Sequence, residues 1–442
     1  MDQIKHAGLV RGVRRWDAVA LMINCIIGAG IFGIPSKAFA LTGSYSLLAL
    51  AACALVVAII AFCYAEVASR FTQTGGPYLY AREAFGAVAG FQVGWLAWIA
   101  RLSTFAFICN VLVSYLGYFW PPAASGLWRA VIMTSLVVAL VSVNIVGVRR
   151  AATVSDIFSV GKLIPLLIFG IAGLFFIDTD RYSFASPPDI GSFSLVVSQL
   201  FVSFTGFELA LIAAGETRDP RRNMPFAMMM ALFVVAVIYT LTQFVCIGTL
   251  PNLAASEKPL ADASNLFLGG AGASLITIGA MISTIGTLNA ILLAGSRLPF
   301  AMAEQDHLPG VLAATHQRFH TPHTSILLTA GIGLSLALSG TFTYALTLAA
   351  ISKLLTSAAT CAALPILRRR QGSRPALFRV PAGLFLSIVS LVICLWLLAN
   401  SGWQEVRDVA IAAAVGMLLF IVNRLRQRKP QPEKGLSAAK GP

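Results

Sequence analysis

Apolar segments of about twenty residues recur from one end of this 442-residue chain to the other. A helix of that length spans the hydrocarbon core of a bilayer, which is roughly 30 Å thick. Hydrophobic residues make up 57% of the chain and charged residues 11%, which is too little charge to cover a soluble protein of this size. The sequence therefore predicts an all-α polytopic membrane protein embedded in the lipid bilayer.

The apolar pattern predicts twelve transmembrane helices. They lie near residues 16–41, 43–69, 88–119, 126–148, 154–177, 191–215, 224–250, 270–303, 323–339, 342–366, 380–399 and 405–423. Basic residues collect on one side of these spans: Arg11, Arg14, Arg15, Arg149, Arg150, Arg218, Arg221, Arg222, Arg368, Arg369, Arg370, Arg424, Arg426, Arg428 and Lys429. The positive-inside rule then predicts a multi-pass protein of the cell membrane with both termini in the cytoplasm. It also explains the net charge of +14 without a nucleic-acid partner.

The first span contains residues that interrupt a helix. Its segment NCIIGAGIFGIP, residues 24–35, places Gly28, Gly30, Gly33 and Pro35 near the centre of the apolar run. Glycine weakens a helix by about 1 kcal/mol and proline by about 3 kcal/mol. Backbone groups freed in this way find no water in lipid. We therefore predict that the first helix is broken for a functional reason.

The sixth span repeats this feature. Its segment FVSFTGFELALIAAGE, residues 201–216, carries Gly206 and Glu208 about where the first span carries its glycines. Spans one and six are five apart, so they cross in opposite directions, and paired interruptions in inverted halves indicate a transporter site. The alternative is that each glycine only permits close helix packing. Two matched interruptions favour broken helices.

Three motifs resemble the amino acid–polyamine–organocation superfamily of permeases: IIGAGIFGIP in span one, TGGPYLYAREAFG in the next loop, and SFTGFE followed by GETRDPRRNMP. The resemblance implies a leucine-transporter-type fold with a five-plus-five inverted repeat. It divides the chain into a cytoplasmic N-terminus (1–15), a first repeat (16–177), a second repeat (191–366), two further helices (380–423) and a cytoplasmic tail (424–442). It also implies transport of amino acids or related amines by alternating access.

The two interruptions can bind both poles of a zwitterion. A break at Gly28–Ala29–Gly30 leaves N–H groups at the start of the next half-helix, where the helix dipole favours a carboxylate. The half-helix that ends near Ile26 and Ile27 leaves carbonyls for an α-ammonium group, and span six supplies more. The predicted substrate-binding residues are Ile26, Gly28, Ala29, Gly30, Val202, Ser203, Thr205, Gly206 and Phe207. Asn289 is a further pocket candidate, with ordinary packing as its alternative.

The sequence indicates less about which substrate side chains the site would accept than about how it would bind the zwitterionic backbone. In family members that carry arginine, aromatic residues gate the pocket, and the corresponding positions here are Val202 and Ala290. Neither residue is aromatic, so the resemblance does not extend to guanidinium recognition.

Ionisable residues inside a membrane indicate function. Lys162, in SVGKLIPLL, resembles the lysine of proton-coupled family members, whose amine takes the place of a sodium ion. Burial disfavours the charged amine, so its protonation can couple transport to a proton gradient. The alternative is a structural lysine bonded to carbonyls of the broken first helix. Arg101, Lys353 and Glu208 are candidates for gating or charge balance, either with an anionic substrate group or as an internal Arg101–Glu208 pair with Lys353 snorkelling.

The sequence thus predicts an amino acid importer driven by proton symport, with no cofactor beyond the proton gradient. An exchanger is the close alternative, and a sensor that binds without transport is a weaker one. An enzyme is disfavoured because the five histidines lie in termini or loops, away from any acid–base or nucleophile set. His316, His320 and His323 have a spacing that suits a metal, but a solvated loop is favoured and no metal site is predicted. Association into a homo-oligomer is left open.

Overall fold

The computed structural model describes residues 14–28, 30–71, 76–146, 162–207, 220–319, 321–370, 375–376 and 378–427. All regular structure in these ranges is helical. The helices are α1 (Arg15–Ile26), α2 (Gly30–Thr42), α3 (Ser46–Ala68), α4 (Pro77–Phe85), α5 (Ala87–Leu116), α6 (Gly126–Val146), α7 (Lys162–Phe176), α8 (Ile190–Phe204), α9 (Pro220–Thr249), α10 (Pro259–Gly295), α11 (Arg297–Glu304), α12 (His323–Ser339), α13 (Phe342–Arg369), α14 (Gly383–Ala399) and α15 (Trp403–Gln427).

Six segments of the described chain are long and apolar enough to cross a membrane. They are Gly30–Ala68, Ala87–Leu116, Gly126–Val146, Phe226–Thr249, Pro259–Glu304 and Phe342–Arg369. α14 and α15 are long and apolar enough only when taken together, and the chain bends by 114° between them. α7, α8 and α12 are apolar but shorter. The polytopic all-α class is confirmed. The count of twelve spans, the inverted repeat and the division of the chain into segments remain predictions.

The bundle is built around α5, which packs against α4, α10, α12 and α13. Side chains are buried along most of the length of α5, and Phe105, Phe107 and Trp98 are among them. Peripheral helices instead expose large apolar side chains, for example Leu127 on α6, Phe385 on α14 and Leu418 on α15. An apolar exterior around a buried helix is expected for a protein whose solvent is lipid.

Two segments between the long helices also contain helical structure. The motif TGGPYLYAREAFG contains α4, which begins at Pro77, and proline is favoured at the first position of a helix. We refer to this end of the bundle as the α4 end. The segment from Pro251 to Leu268 contains a turn of 3₁₀ helix at Leu253–Ala255 and then the first part of α10. Gly269, with a φ of +67°, separates that part from the rest of α10.

A buried carboxylate joins three elements at the α4 end. Glu66, on α3, has no exposed surface. Its two oxygens accept from Arg368 Nε at 2.7 Å and Arg368 NH2 at 2.5 Å, from Arg70 NH2 at 3.2 Å and from the Val380 amide at 2.8 Å. Two charges and a backbone donor therefore compensate the desolvation of the carboxylate, which links α3 and α13 to the segment before α14.

Glu66→Gln is expected to lower the free energy of unfolding by about 3 kcal/mol, because it leaves two largely buried arginine side chains without their anion. The measurement is the thermal midpoint of the detergent-solubilised protein. The matched control is Glu83→Gln, since Glu83 pairs with Arg370 at 3.7 Å and both side chains are about half exposed. An exposed pair contributes about 0–1 kcal/mol, so equal shifts for the two variants would contradict this account.

His307 packs among aromatic residues at the same end. Its ring lies 6.0 Å from that of Phe91 and 5.2 Å from that of Phe420 on α15, and its Nδ1 is 3.3 Å from the Tyr78 hydroxyl of α4. Burial lowers the pKa of His307 below 6.5, the nearby Arg82 and Arg424 lower it further, and Asp306 opposes them. The folded protein therefore holds a neutral imidazole between helices near neutral pH.

This environment predicts a loss of stability in mild acid. Because its pKa is lowered by folding, His307 contributes stability that is fully present above pH 6.5 and is lost as the pH falls from there toward its folded value. The thermal midpoint should decrease between pH 7.5 and 5.5 by about 2 °C more in the wild type than in His307→Gln. The same pH dependence in both proteins would show that another group is responsible.

Candidate functional site

The first transmembrane helix is interrupted between α1 and α2. α1 ends at Ile26, and the amide of Ile27 makes the last helical bond, to the Ile23 carbonyl at 2.8 Å. Helical structure begins again at Gly30, whose own half-helix carries Pro35 in its interior. α1 thus ends on carbonyls that have no partner within the helix, and α2 begins on N–H groups that have none within theirs. The two ends carry opposite partial charges.

A second interruption follows α8. This helix ends at Phe204, Thr205 is extended with a ψ of 158°, and Gly206 has a φ of +130°. Only glycine adopts that conformation without strain, so Gly206 is required by the backbone itself. α8, like α1, ends on carbonyls in the interior of the bundle, and Ser203, Thr205 and Phe207 are all buried there.

The two interruptions lie against each other. A Cβ added to Gly30 would overlap Ser203 Oγ and lie 3.0 Å from Ser203 Cβ, so the start of α2 contacts the end of α8. The hydroxyl of Tyr239, on α9, is 3.1 Å from the Ser203 carbonyl and 3.4 Å from the Ile26 carbonyl. Tyr239 has one hydroxyl proton, which it can share between these two carbonyl ends.

A lysine lies at each carbonyl end. The Lys162 ammonium, on α7, donates to the Ile27 carbonyl at 2.6 Å, and the side chain is 6% exposed. The Lys353 ammonium, on α13, donates to the Thr205 hydroxyl, which in turn donates to the Val202 carbonyl at 2.7 Å. A cation at the carbonyl end of a helix is stabilised by the helix dipole.

This geometry creates a junction with two polarities. The N–H groups at the start of α2 favour an anionic or hydrogen-bond-accepting group, while the carbonyls of α1 and α8 favour a donor. Ile26, Val202 and Ser203 already accept one bond each from tyrosine or threonine, but a carbonyl has two lone pairs. Among the described residues, Ser203 Oγ is buried without a hydrogen-bond partner. The junction therefore offers hydrogen-bond donors and acceptors of the kind that a small polar molecule uses.

A cavity of about 410 Å³ opens at the end of the bundle opposite α4. Lys37, Arg129 and Glu257 are among its lining residues, and Arg129 is fixed by bonds to Asn110 Oδ1 at 2.6 Å and to the Ala337 carbonyl at 2.9 Å. Gly33, Val111 and Phe342 also line the cavity, and a Cβ on Gly33 would be 3.0 Å from both Val111 and Phe342. At this wall α2 therefore packs closely on α5 and α13.

The remaining predicted site residues are placed as follows. Phe207 packs edge-to-face on Tyr64, with 5.5 Å between ring centroids. Asn289 accepts from Asn144 Nδ2 at 2.9 Å, and Arg101 packs beside Gly295 at the end of α10. Gly28 faces the Thr287 side chain. Ala29, Glu208 and His320 lie outside the described residues, and so does the pairing of Arg101 with Glu208.

Sequence analysis missed the polar residues of α9 that support the junction. Besides Tyr239, Gln243 donates to the Pro35 carbonyl at 3.2 Å and to Ser46 Oγ at 2.9 Å. Tyr239 and Gln243 are four residues apart, so they lie on one face of the helix. Two hydrogen-bonding side chains at that spacing in an apolar span are the signal that could have identified them.

A family model described as amino acid permease matches residues 14–420. The chain belongs to this amino acid permease family. Relatives of the permease include the methylthioribose transporter of Bacillus subtilis (strain 168), 28% identical with 95% of each chain covered. The Asc-type amino acid transporter 1 of Mus musculus is 30% identical, with 94% of this chain and 79% of the relative covered. The large neutral amino acids transporter small subunit 2 of Oryctolagus cuniculus is 28% identical, with 97% and 82% covered.

The family assignment and the apolar helices together establish a membrane-embedded transporter of a small molecule. The relatives are named as transporters, which agrees with the expectation that the permease is not an enzyme.

Proposed function

We propose that this permease carries an α-amino acid across the cell membrane by alternating access and that the junction of the two interruptions is its substrate site. The contact between these interruptions carries the proposal, because it brings an N–H end and two carbonyl ends of half-helices together in the interior of the bundle. The carboxylate of the substrate binds at the start of α2, near Gly28 and Gly30. Its ammonium group binds the carbonyls of Ile26, Val202 and Ser203.

The packing at one end of the bundle supports an access mechanism. We infer that the close packing of Gly33 on Val111 and Phe342, at the wall of the 410 Å³ cavity, closes the path from the cavity to the junction. Entry from that side therefore requires α2 to separate from α5 and α13. Arg82, Arg368 and Arg424 lie at the α4 end, which on the positive-inside rule is the cytoplasmic end. The cavity then faces outward.

We further propose that Lys162 couples this movement to protons, so that the permease is a symporter. Its bond to the Ile27 carbonyl connects α7 to the end of α1, and a buried ammonium makes that bond more strongly than a neutral amine does. Release of the proton would weaken the connection and allow α1 to move relative to α7. The same bond is also what a structural lysine would make, so a transport measurement is needed to separate the two roles.

A second substrate class is supported by one comparison. The Bacillus subtilis relative that matches this chain over 95% of its length is named for methylthioribose, which is a sugar thioether and not an amino acid. Hydroxyl groups can also bond to free N–H and carbonyl groups. A polar sugar derivative is therefore the alternative substrate.

Uptake into proteoliposomes tests these proposals. Purified permease is reconstituted and offered each member of a panel of labelled amino acids, together with methylthioribose, with and without an inward proton gradient. Accumulation of an amino acid in empty vesicles under the gradient supports symport. Uptake only into vesicles preloaded with amino acid identifies an exchanger. Binding without uptake identifies a sensor. Uptake of methylthioribose alone would overturn the proposed substrate.

A further inference from the structure

The lysines at the two carbonyl ends differ in their surroundings. Lys162 is buried and bonds directly to a backbone carbonyl, whereas Lys353 is partly exposed and reaches the end of α8 through the hydroxyl of Thr205. Access to water stabilises the charged form of an amine. Lys353 therefore places an ammonium group beside the junction, bonded to the Thr205 hydroxyl.

We propose that Lys353 selects substrates by the charge of their side chain, favouring neutral or anionic side chains over cationic ones. This inference rests on the proposed function, since it assigns a role within the same site. Thr205 belongs to the interrupted backbone after α8, so an ammonium bonded to its hydroxyl lies at the site itself. A second cation brought to this position is repelled by the ammonium of Lys353.

The hydrogen-bond chain around Lys353 fixes the position of this charge. Thr205 Oγ1 accepts from Lys353 and donates its own proton to the Val202 carbonyl at 2.7 Å, so the hydroxyl has a defined orientation. The Thr205 amide also bonds to the Phe201 carbonyl at 3.1 Å, which anchors the residue to the last turn of α8. Thr205 is accordingly a positioning residue for the Lys353 ammonium.

The positive charge of Lys353 also affects where the charged groups of a substrate bind within the site. The ammonium group of an α-amino acid binds carbonyl ends, so its favourable position lies near Ile26 and Ser203 rather than at Thr205. A carboxylate on the side chain of the substrate would instead form an ion pair with Lys353. The predicted order of preference is therefore anionic or neutral first and cationic last.

Competition in proteoliposomes tests the inference. Uptake of the labelled amino acid found for the wild type is inhibited by glutamine, glutamate and ornithine, whose side chains are of similar length. In the wild type we expect ornithine to need a concentration at least about tenfold higher than glutamine for half-inhibition. Lys353→Met, which keeps the length of the side chain without its charge, should reduce that ratio to within about threefold. Lys353→Glu should make ornithine the better inhibitor.

Two further variants control for folding. Lys353→Arg keeps the charge, so its ratio of ornithine to glutamine concentrations for half-inhibition should equal that of the wild type. Thr205→Val leaves the lysine in place but removes the hydroxyl that positions it. Its ratio should therefore fall between those of the wild type and Lys353→Met. An unchanged ratio in both Lys353→Met and Thr205→Val overturns the inference. If the Lys353 variants do not fold, Thr205→Val decides it alone. Absence of any amino acid uptake by the wild type is a separate result, which contradicts the proposed function before any variant is made.

Discussion

Lys162→Ala is expected to abolish the accumulation of substrate driven by a proton gradient, while binding of the substrate remains measurable. The variant removes the ammonium that bonds to the Ile27 carbonyl at 2.6 Å and leaves that carbonyl facing a buried space. A hydrogen bond from a charged donor contributes about 1.5–3 kcal/mol, so the end of α1 should also be less firmly held. The measurement is uptake at an inside pH of 7.5 and outside pH values from 5.5 to 7.5.

Two controls separate coupling from structure. Lys162→Arg keeps a permanent charge and a donor at the same place, so it should fold and bind substrate but transport it without dependence on the gradient. Lys258→Ala changes a lysine that lies over the Tyr118 ring in the loop beside the cavity, and it should retain the wild-type pH response. If Lys162→Ala shows the wild-type pH dependence, Lys162 is a structural residue and protons enter the mechanism elsewhere.

The interruptions of α1–α2 and α8 were predictable because they follow from local chemistry. Gly28 and Gly30 lower helix stability wherever they occur in an apolar span, and Gly206 has a φ that other residues avoid. The bond from Lys162 to a carbonyl of the first helix joins residues 135 apart, and it was foreseen only as the structural alternative to the role that the family resemblance implies. The interruptions themselves depend on a few neighbouring residues, which the sequence contains, and on the absence of water in lipid.

Without such a resemblance, pairing over long sequence distances was not predictable. Arg368 reads as one member of a basic cluster at the end of a span, yet it forms a buried pair with Glu66, 302 residues earlier in the chain. Arg70 lies one helical turn from Glu66, but nothing near Glu66 in the sequence indicates that Arg368 and the Val380 amide also converge on it. Which helices are neighbours decides such partners, and the apolar pattern alone does not specify helix neighbours.

Gly30 shows both what the sequence predicts and what it does not. Its sequence context predicted a broken helix and, separately, a close approach of substrate to the backbone, with helix packing as the alternative. The structure gives this glycine a packing partner, Ser203, at the other interruption. Close packing and a binding role are compatible, because the contact is what brings the two sets of free backbone groups together.

Gly30→Val is expected to reduce transport by at least about a hundredfold and to lower the thermal midpoint, because its side chain would overlap Ser203 Oγ and force α2 away from α8. The milder Gly30→Ala should act in the same direction. Gly331→Ala is the matched control, since Gly331 lies within α12 and an added Cβ there meets no atom within 4 Å. Alanine also favours a helix more than glycine does, so this control should be neutral or slightly stabilising.

A compensating variant tests whether the space between Gly30 and Ser203 is the cause. Ser203→Gly removes both side-chain atoms that an alanine at position 30 would meet within 3.0 Å, leaving the Ser203 Cα at 3.4 Å, which is ordinary contact. The double variant Gly30→Ala with Ser203→Gly should therefore recover the thermal midpoint lost by Gly30→Ala alone. Recovery of stability together with substrate affinity would assign Gly30 to packing. Recovery of stability without affinity would show that the substrate itself needs the open backbone at Gly30, while failure to recover either would contradict the contact between the two interruptions on which the proposed site depends.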